Sequence, residues 1–481
     1  VMIALLLVGI LPLVVLSSIT TIQPMRVDKP FYYTQSFSML ASKSVSGESE
    51  SESGDSFIAV SLTLDKVVNT EDAFASAELL IVPEGMYNQI GYYDGDDHVV
   101  CCDEKAIRDG KCSTPGTLIL HRVKDERFSY RNVSFTGKKM LLNSRYNVKR
   151  DGQYYVVVAF CNPATKNAVL AGQTAALNPH GHLPAGVFGL LDFMRALTAV
   201  YTVLMLVWTA KCCQYRRELM SIHVLISAAL LLLALDALAH WAALAAYNAE
   251  GAAARVGTAL TVLLDALTSA LLRCLVLVIA VGLGMSRATM GPLFCRVVLL
   301  TMLCFAVTLW YGAFPFLFPG SASVWSQLPS TAVDTLVYYL FLSWLGDTMD
   351  ELERRSQTSK LGVFRTLRNA SFVAIAALVA YSAAYGYLAA HDMLRALWKV
   401  EWLLNEGADS VFCLFVVVLI MCLWMPNDRS VAYASHLQVA TDERHDAEEY
   451  AMPEVELQSK AGGKVEVASI DESRSLKPMS M

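Results

Sequence analysis

From Gly186 to Trp424 the chain repeats one pattern, long apolar runs separated by short polar joints. Roughly 20 apolar helical residues cross the ~30 Å core of a bilayer. Seven runs reach that length: Gly186–Ala210, Ser221–Tyr247, Val256–Leu283, Gly291–Phe314, Pro329–Asp347, Ser371–His391 and Leu403–Trp424. Lipid offers no partner to a backbone N–H or C=O, so the pattern predicts seven helices. Basic residues divide unevenly between the joints. Lys211, Arg216 and Arg217 follow the first run, Arg287 follows the third, and Arg354, Arg355, Lys360, Arg365 and Arg368 follow the fifth. The other joints hold only Arg255, none, and then Arg395 with Lys399. The positive-inside bias predicts a cytosolic location for the odd joints, a lumenal N-terminal region and a cytosolic C-terminal tail.

Upstream the period changes. Met2 to about Ser18 is apolar but short for a span, and Ser17, Ser18 and Thr20 follow it. It reads as the hydrophobic core of a secretory signal peptide, residues 1–22. No basic residue precedes it and the chain opens on Val, so a truncated start is expected. The stretch Val45–Ser56 is Ser/Glu/Gly-rich and is expected to be a disordered loop. Ile58, Val60, Leu62 and Leu64 alternate with smaller or polar residues, and β-like runs recur at Phe74–Val82, Thr117–Val123, Lys139–Leu142, Gln153–Cys161 and Asn167–Ala176. Turn signals such as Asp94-Gly95 and Asp151-Gly152 separate them. Short strands at this spacing predict a β-sandwich over residues 23–179, ahead of a bundle over 180–425. Residues 426–481 are polar with acidic clusters and are expected to be a disordered tail.

Composition sharpens this picture. Of 481 residues 55% are hydrophobic and 17% charged, with a net charge of −6, which fits a membrane protein and excludes a nucleic-acid-binding patch. Cys101, Cys102, Cys112 and Cys161 fall in the sandwich, where an oxidising lumen would join them. Adjacent cysteines make poor disulfide geometry, so Cys101 and Cys102 should each bond Cys112 or Cys161, in either order. Asn132-Val133-Ser134 is a candidate glycosylation sequon, whereas Asn369-Ala370-Ser371 falls on the predicted cytosolic side.

Ionisable residues within the runs are functional candidates, because a charge in lipid is costly unless paired or wet. Asp192 and Arg195 lie three apart in the first run, Asp236 and His240 four apart in the second, and Asp265 and Arg273 in the third. Asp334 opens the fifth run, and Glu406 and Asp409 open the seventh. Counted by helical rise, Asp192, Asp236, His240 and Asp265 fall roughly 9 to 18 Å from the lumenal boundary, and Arg273 lies deeper. Tyr381, Tyr385 and Tyr387 add hydroxyls in the lumenal half of the sixth run. These positions predict a lumen-facing polar cavity for a ligand or ion, with Asp192–Arg195 the more local pair. Arg273 should reach Asp236 on the neighbouring run.

Five stretches carry a family resemblance: AGQTAALNPHGHLPA (Ala171–Ala185), QYRRELMSI (Gln214–Ile222), LRCLVLVIAVGLGMSRATMG (Leu272–Gly291), SWLGDTMDELERRSQTSKLGVFRTLR (Ser343–Arg368) and CLWMPNDRSVAYA (Cys422–Ala434). With the CCDEKAIRDGKC segment they resemble the lung seven-transmembrane receptor family, the GOLD-domain seven-transmembrane (GOST) proteins, leaning to its transmembrane-87-like branch. The resemblance implies a lumenal GOLD-like β-sandwich on a seven-transmembrane α-helical bundle. It also implies residence in Golgi or endosomal membranes and work in Golgi–endosome trafficking, cargo sorting and Golgi homeostasis, with lumenal cargo and cytosolic trafficking proteins as partners. Thr268 and Ser269 stand where many relatives carry a basic pair before the arginine matched by Arg273.

Other functions weigh less. A G-protein-coupled-type receptor is supported by seven spans alone, without the Asp-Arg-Tyr or Asn-Pro-x-x-Tyr signatures of the large receptor class. A cation channel is favoured by the polar cavity but lacks a repeated pore ring. A zinc membrane hydrolase needs several His and Asp ligands, and only His240 lies deep in the runs, with His223 near the cytosolic end of the same run and His180 and His182 in a proline-flanked turn. Neither an enzyme, a metal site nor a cofactor is therefore expected.

Overall fold

The computed structural model describes residues 19–29, 31–41, 55–65, 75–94, 97–120, 128–135, 139–283, 286, 291–318 and 324–426. The expected signal core, most of the Ser/Glu loop and the tail after residue 426 lie outside the described residues.

The N-terminal domain is a sandwich of two four-stranded antiparallel sheets. One sheet has the order β1(Ile19–Arg26), β10(Val169–Leu177), β3(Phe57–Asp65), β8(Lys139–Asn147). The other has the order β2(Phe31–Met39), β9(Gly152–Ala159), β4(Ala75–Pro83), β7(Ser129–Phe135). Alternation sets the faces, as side chains along a strand point to opposite sides. In β8 Met140, Leu142, Ser144 and Tyr146 are buried and the residues between them exposed. They meet Ile58, Val60, Leu62 and Leu64 of β3 and Leu79, Ile81, Val156 and Val158 of the facing sheet. A small hairpin, β5(Tyr92–Asp94) and β6(Asp97–Val99), and a short helix Glu104–Arg108 sit beside this core.

Three local expectations change. β1 begins at Ile19, inside the stretch assigned to the signal segment, because it pairs with β10 from Ile19↔Ala175 onward. Thr117–Val123 contributes only single bridges at Leu118 and Leu120 within the described residues, since Leu118 N–H is taken by a side chain rather than a strand. Ser56, at the end of the Ser/Glu loop, is buried.

Seven long helices follow: α1(Phe188–Gln214), α2(Ser221–Glu250), α3(Arg255–Val281), α4(Leu293–Leu317), α5(Val324–Arg354), α6(Thr358–Ala390) and α7(Ala408–Leu423), the last entered through a π turn at Leu403–Gly407. Six of these are long and apolar enough to cross a membrane. α5 is long enough but more polar. α6 starts at Thr358 rather than Ser371, so Arg365 and Arg368 are helical, and the turn before it is only a few residues. Each helix has an outward apolar stripe at helical spacing. Examples are Val256, Leu260, Leu263 and Leu267 on α3 and Val411, Phe415 and Val418 on α7. The inner faces share one core that includes Trp208, Leu230, Leu277, Phe341, Phe364 and Trp424. α3 packs against α2, α4 and α5 and is the central helix.

Candidate functional site: an acid-lined bundle interior beneath a clamped sandwich

Helical geometry decides which charges face inward. At about 100° per residue, Asp265 lies opposite the Val256–Leu260–Leu263–Leu267 stripe of α3. By the same count Asp409 lies opposite Val411, Phe415 and Val418 of α7, and Asp236 and His240 turn away from Val224, Leu231, Leu235 and Leu238 of α2. Asp409 is nonetheless exposed. Asp265 lies within electrostatic reach of Asp236, His240, Asp409 and Arg273. Glu406, on the π turn, is within reach of His240.

The cations do not balance these acids. His240 Nδ1 lies 3.3 Å from Asp236 Oδ1 and 3.1 Å from the Asp236 carbonyl. No well-formed hydrogen bond reaches that buried Asp236 oxygen among the described residues. Arg273 is committed elsewhere. Its Nε donates to Asp334 Oδ1 at 2.8 Å, a second guanidinium nitrogen lies 2.7 Å from the same oxygen, and a third is 3.4 Å from Thr308 Oγ1. The expected Arg273–Asp236 pair is therefore replaced by Arg273–Asp334. Depth counting missed it because α5 begins at Val324, which puts Asp334 about 15 Å along its helix instead of at the boundary. α3 also touches α5 directly, so the better partner lay on a helix that sequence order did not make adjacent.

Asp192 and Arg195 do not join the cluster. They pair at 2.9 Å on the outward face of α1, on the side of Val203 and Leu206. Tyr387 is also outward, 61% exposed, and its ring meets His391. Tyr381 does face the interior, donating its hydroxyl to the Leu404 carbonyl. A π turn breaks the regular i→i−4 ladder, and Tyr381 takes up a carbonyl in that turn. Glu406 lies in that turn and Asp409 just after it. Both were noted at the opening of the seventh run, and the inward position of Asp409 is legible from the apolar stripe opposite it.

The sandwich is fastened over this end of the bundle by the Asn-Pro-His-Gly-His-Leu-Pro junction. Asn178 accepts from Leu40 N–H at 2.9 Å and donates to the Leu183 carbonyl at 3.0 Å. Asn248, in the last turn of α2, accepts from Leu183 N–H at 2.9 Å and donates to the His180 carbonyl at 2.8 Å. Its backbone carbonyl accepts from His182 N–H at 3.0 Å. Gly181 has φ +127°, and a Cβ there would stand 2.5 Å from Asn248 Oδ1, so the junction requires glycine. Burial holds the His180 imidazole below its usual range, and its ring packs 3.9 Å from that of Phe188. From the turn between α6 and α7, Lys399 pairs with Asp151 at 2.5 Å and Arg395 lies 3.7 Å from Glu84.

The sandwich keeps its own buried acid closed. Glu78, 2% exposed, accepts from Tyr130 hydroxyl at 2.6 Å, Leu118 N–H at 2.7 Å and Asn132 Nδ2 at 3.4 Å. Burial pushes Glu78 above the usual carboxylate range, and burial with the Glu78 contact pushes Tyr130 up as well. Asn132 of the sequon is exposed on the edge strand β7. The disulfides are Cys101–Cys161 and Cys102–Cys112, which resolves the order left open by the sequence.

With this geometry in view, known proteins can be compared. The family model for the GOST seven transmembrane domain matches residues 189–431, all seven helices and half of the chain. Human transmembrane protein 87B is 22% identical over 327 residues, 67% of this chain and 58% of that protein. Mouse transmembrane protein 87A is 22% identical over 344 residues, 67% and 60% of the two. The protein 87A of Xenopus tropicalis is 24% identical over 289 residues, 59% and 53%. The matched stretch thus spans less than two thirds of these relatives' length. Sequence motifs, helix count and the domain match agree, and the chain belongs to the GOST seven-transmembrane family.

Proposed function

We propose that this chain is a multi-pass protein of Golgi or endosomal membranes that acts in trafficking, with its sandwich in the lumen and its tail in the cytosol. On this reading it is not an enzyme. It binds cargo or a small ligand through the sandwich and the acid-lined interior, and passes that occupancy to the cytosolic end. The observation that carries the reading is the Asn248 clamp. It ties the sandwich junction to α2, the helix that bears Asp236 and His240, so a load on either domain is felt by the other. The basic joints at the far end supply the orientation. The relatives named transmembrane protein 87 support the family context only.

The test is complementation. In cells lacking their own homologue, the tagged chain should co-localise with a Golgi marker and restore retrieval of an endocytosed reporter to the Golgi. Asn248→Ala should reach the Golgi but restore retrieval poorly. Wild-type chain that leaves retrieval unchanged would refute the trafficking role.

A second reading, cation conduction, is favoured by the surplus of acid around Asp265. Purified protein in liposomes would then pass potassium, and Asp265→Asn with Asp409→Asn would abolish the flux. Wild-type liposomes as tight as empty ones would remove this reading.

A further inference from the structure

The free cysteines of the described residues sort by depth and by facing. Cys274, Cys304 and Cys413 sit well inside their helices and none is exposed. Cys213, Cys295 and Cys422 are exposed, and each lies within three residues of a helix end. Cys213 is next to last in α1, Cys422 next to last in α7, and Cys295 third in α4.

These ends lie on one side of the bundle, away from the sandwich. His223, in the first turn of α2, lies 3.1 Å from the Trp424 carbonyl just past α7, and its ring packs 6.0 Å from Trp208 on α1. α4 starts on that side because α3 ends there. Each thiol also terminates an outward apolar stripe. Cys213 falls seven residues after Leu206, Cys422 four after Val418, and Cys295 four before Leu299. Cys212, by contrast, is half-buried and turned to Ser227.

We propose that Cys213, Cys295 and Cys422 are S-acylation sites for long-chain fatty acyl groups. A thiol at the membrane edge, above an outward apolar stripe, is placed so that an attached chain lies along the helix among the lipid tails. In the reaction the cysteine sulfur attacks the thioester carbonyl of a long-chain acyl-coenzyme A. A new carbon–sulfur bond forms, the bond to coenzyme A breaks, and coenzyme A leaves carrying the thiol proton. The proposal rests on the orientation given above, because acyl-coenzyme A is supplied from the cytosol.

The experiment is an acyl exchange on the full chain expressed in cultured cells. Free thiols are blocked with N-ethylmaleimide, thioesters are cleaved with hydroxylamine, and the released thiols take a polyethylene-glycol maleimide that slows migration. Wild type should give a hydroxylamine-dependent ladder of up to three added tags. Cys213→Ser, Cys295→Ser and Cys422→Ser should each remove one rung, and Cys212→Ser, Cys274→Ser, Cys304→Ser and Cys413→Ser none. A wild type without any hydroxylamine-dependent rung overturns the proposal, as does a ladder that survives the triple serine variant. The triple variant should elute from size exclusion as wild type does, which separates loss of sites from loss of fold. Orientation is read separately. In sealed vesicles with the cytosolic face outward, hydroxylamine-released thiols should react with a membrane-impermeant maleimide. Rungs that appear only after permeabilisation would refute the orientation while leaving the acylation established.

Discussion

The two domains each hold inward-facing carboxylates, and they treat them in opposite ways. In the sandwich one acid, Glu78, is met by the Tyr130 hydroxyl, the Leu118 N–H and the Asn132 amide, and no space is left around it. In the bundle Asp236, Asp265, Glu406 and Asp409 lie in one region with His240, while Arg273, within electrostatic reach of Asp265 and Asp409, makes its hydrogen-bonded ion pair with Asp334. A buried polar group whose partners all come from the protein is part of the fold. A group of acids with too few internal partners is costly in lipid unless water, a cation or a ligand completes it. On the proposed reading, the contrast makes the bundle interior, rather than the sandwich core, the place where something else binds.

The comparison breaks most sharply at Arg273, an inward-facing charge held in a structural pair. Arg273→Leu should strand Asp334 at a cost of roughly 3–5 kcal/mol, seen as a large fall in melting temperature in nanodiscs. Asp334→Leu alone should be similar, and the double variant should recover most of the loss. Asp236→Leu should not rescue Arg273→Leu. If it does, the sequence-based pairing is the correct one.

That pair also shows where the sequence was legible. Run lengths placed seven helices, because the bilayer imposes one length on every span. The family motifs fell on the junction, α3, α5 and α7, and the sandwich followed from alternation in β3 and β8. Three things escaped. Partner choice for Arg273 depended on the packing of α3 against α5, which linear order does not encode. The π turn at Leu403–Gly407, which holds Glu406 and precedes Asp409, leaves no mark on the apolar pattern. Asp192 and Arg195 form the local pair expected of them, but on the outward face of α1 rather than at the acid cluster.

A smaller effect is expected where the domains meet. Asn248→Ala removes two side-chain hydrogen bonds to the junction and should lower stability by about 1–3 kcal/mol. Hydrogen exchange should accelerate at Leu183 and its neighbours while β3 and β8 stay protected. Unchanged exchange would mean that the junction is held without the clamp.

The smallest effect concerns Glu78. Its proton affinity is raised by burial, so the folded sandwich holds a proton that the unfolded chain releases more readily. This group therefore destabilises the fold above its folded value, and stability returns as pH falls toward the usual value of 4.5. Glu78→Gln should flatten that slope in melts run at successively lower pH toward 4.5. A variant with the wild-type slope would show that Glu78 does not titrate there.

The most direct measurement compares the two kinds of acid with one reagent. Asp409→Cys and Glu78→Cys are made in a background lacking the free cysteines, and a small cationic thiol reagent is added from the sandwich side. The account predicts rapid reaction at Asp409→Cys and protection at Glu78→Cys while the sandwich is folded. Equal protection at both positions would mean that the bundle acids are sealed within a packed core, and would contradict the cavity.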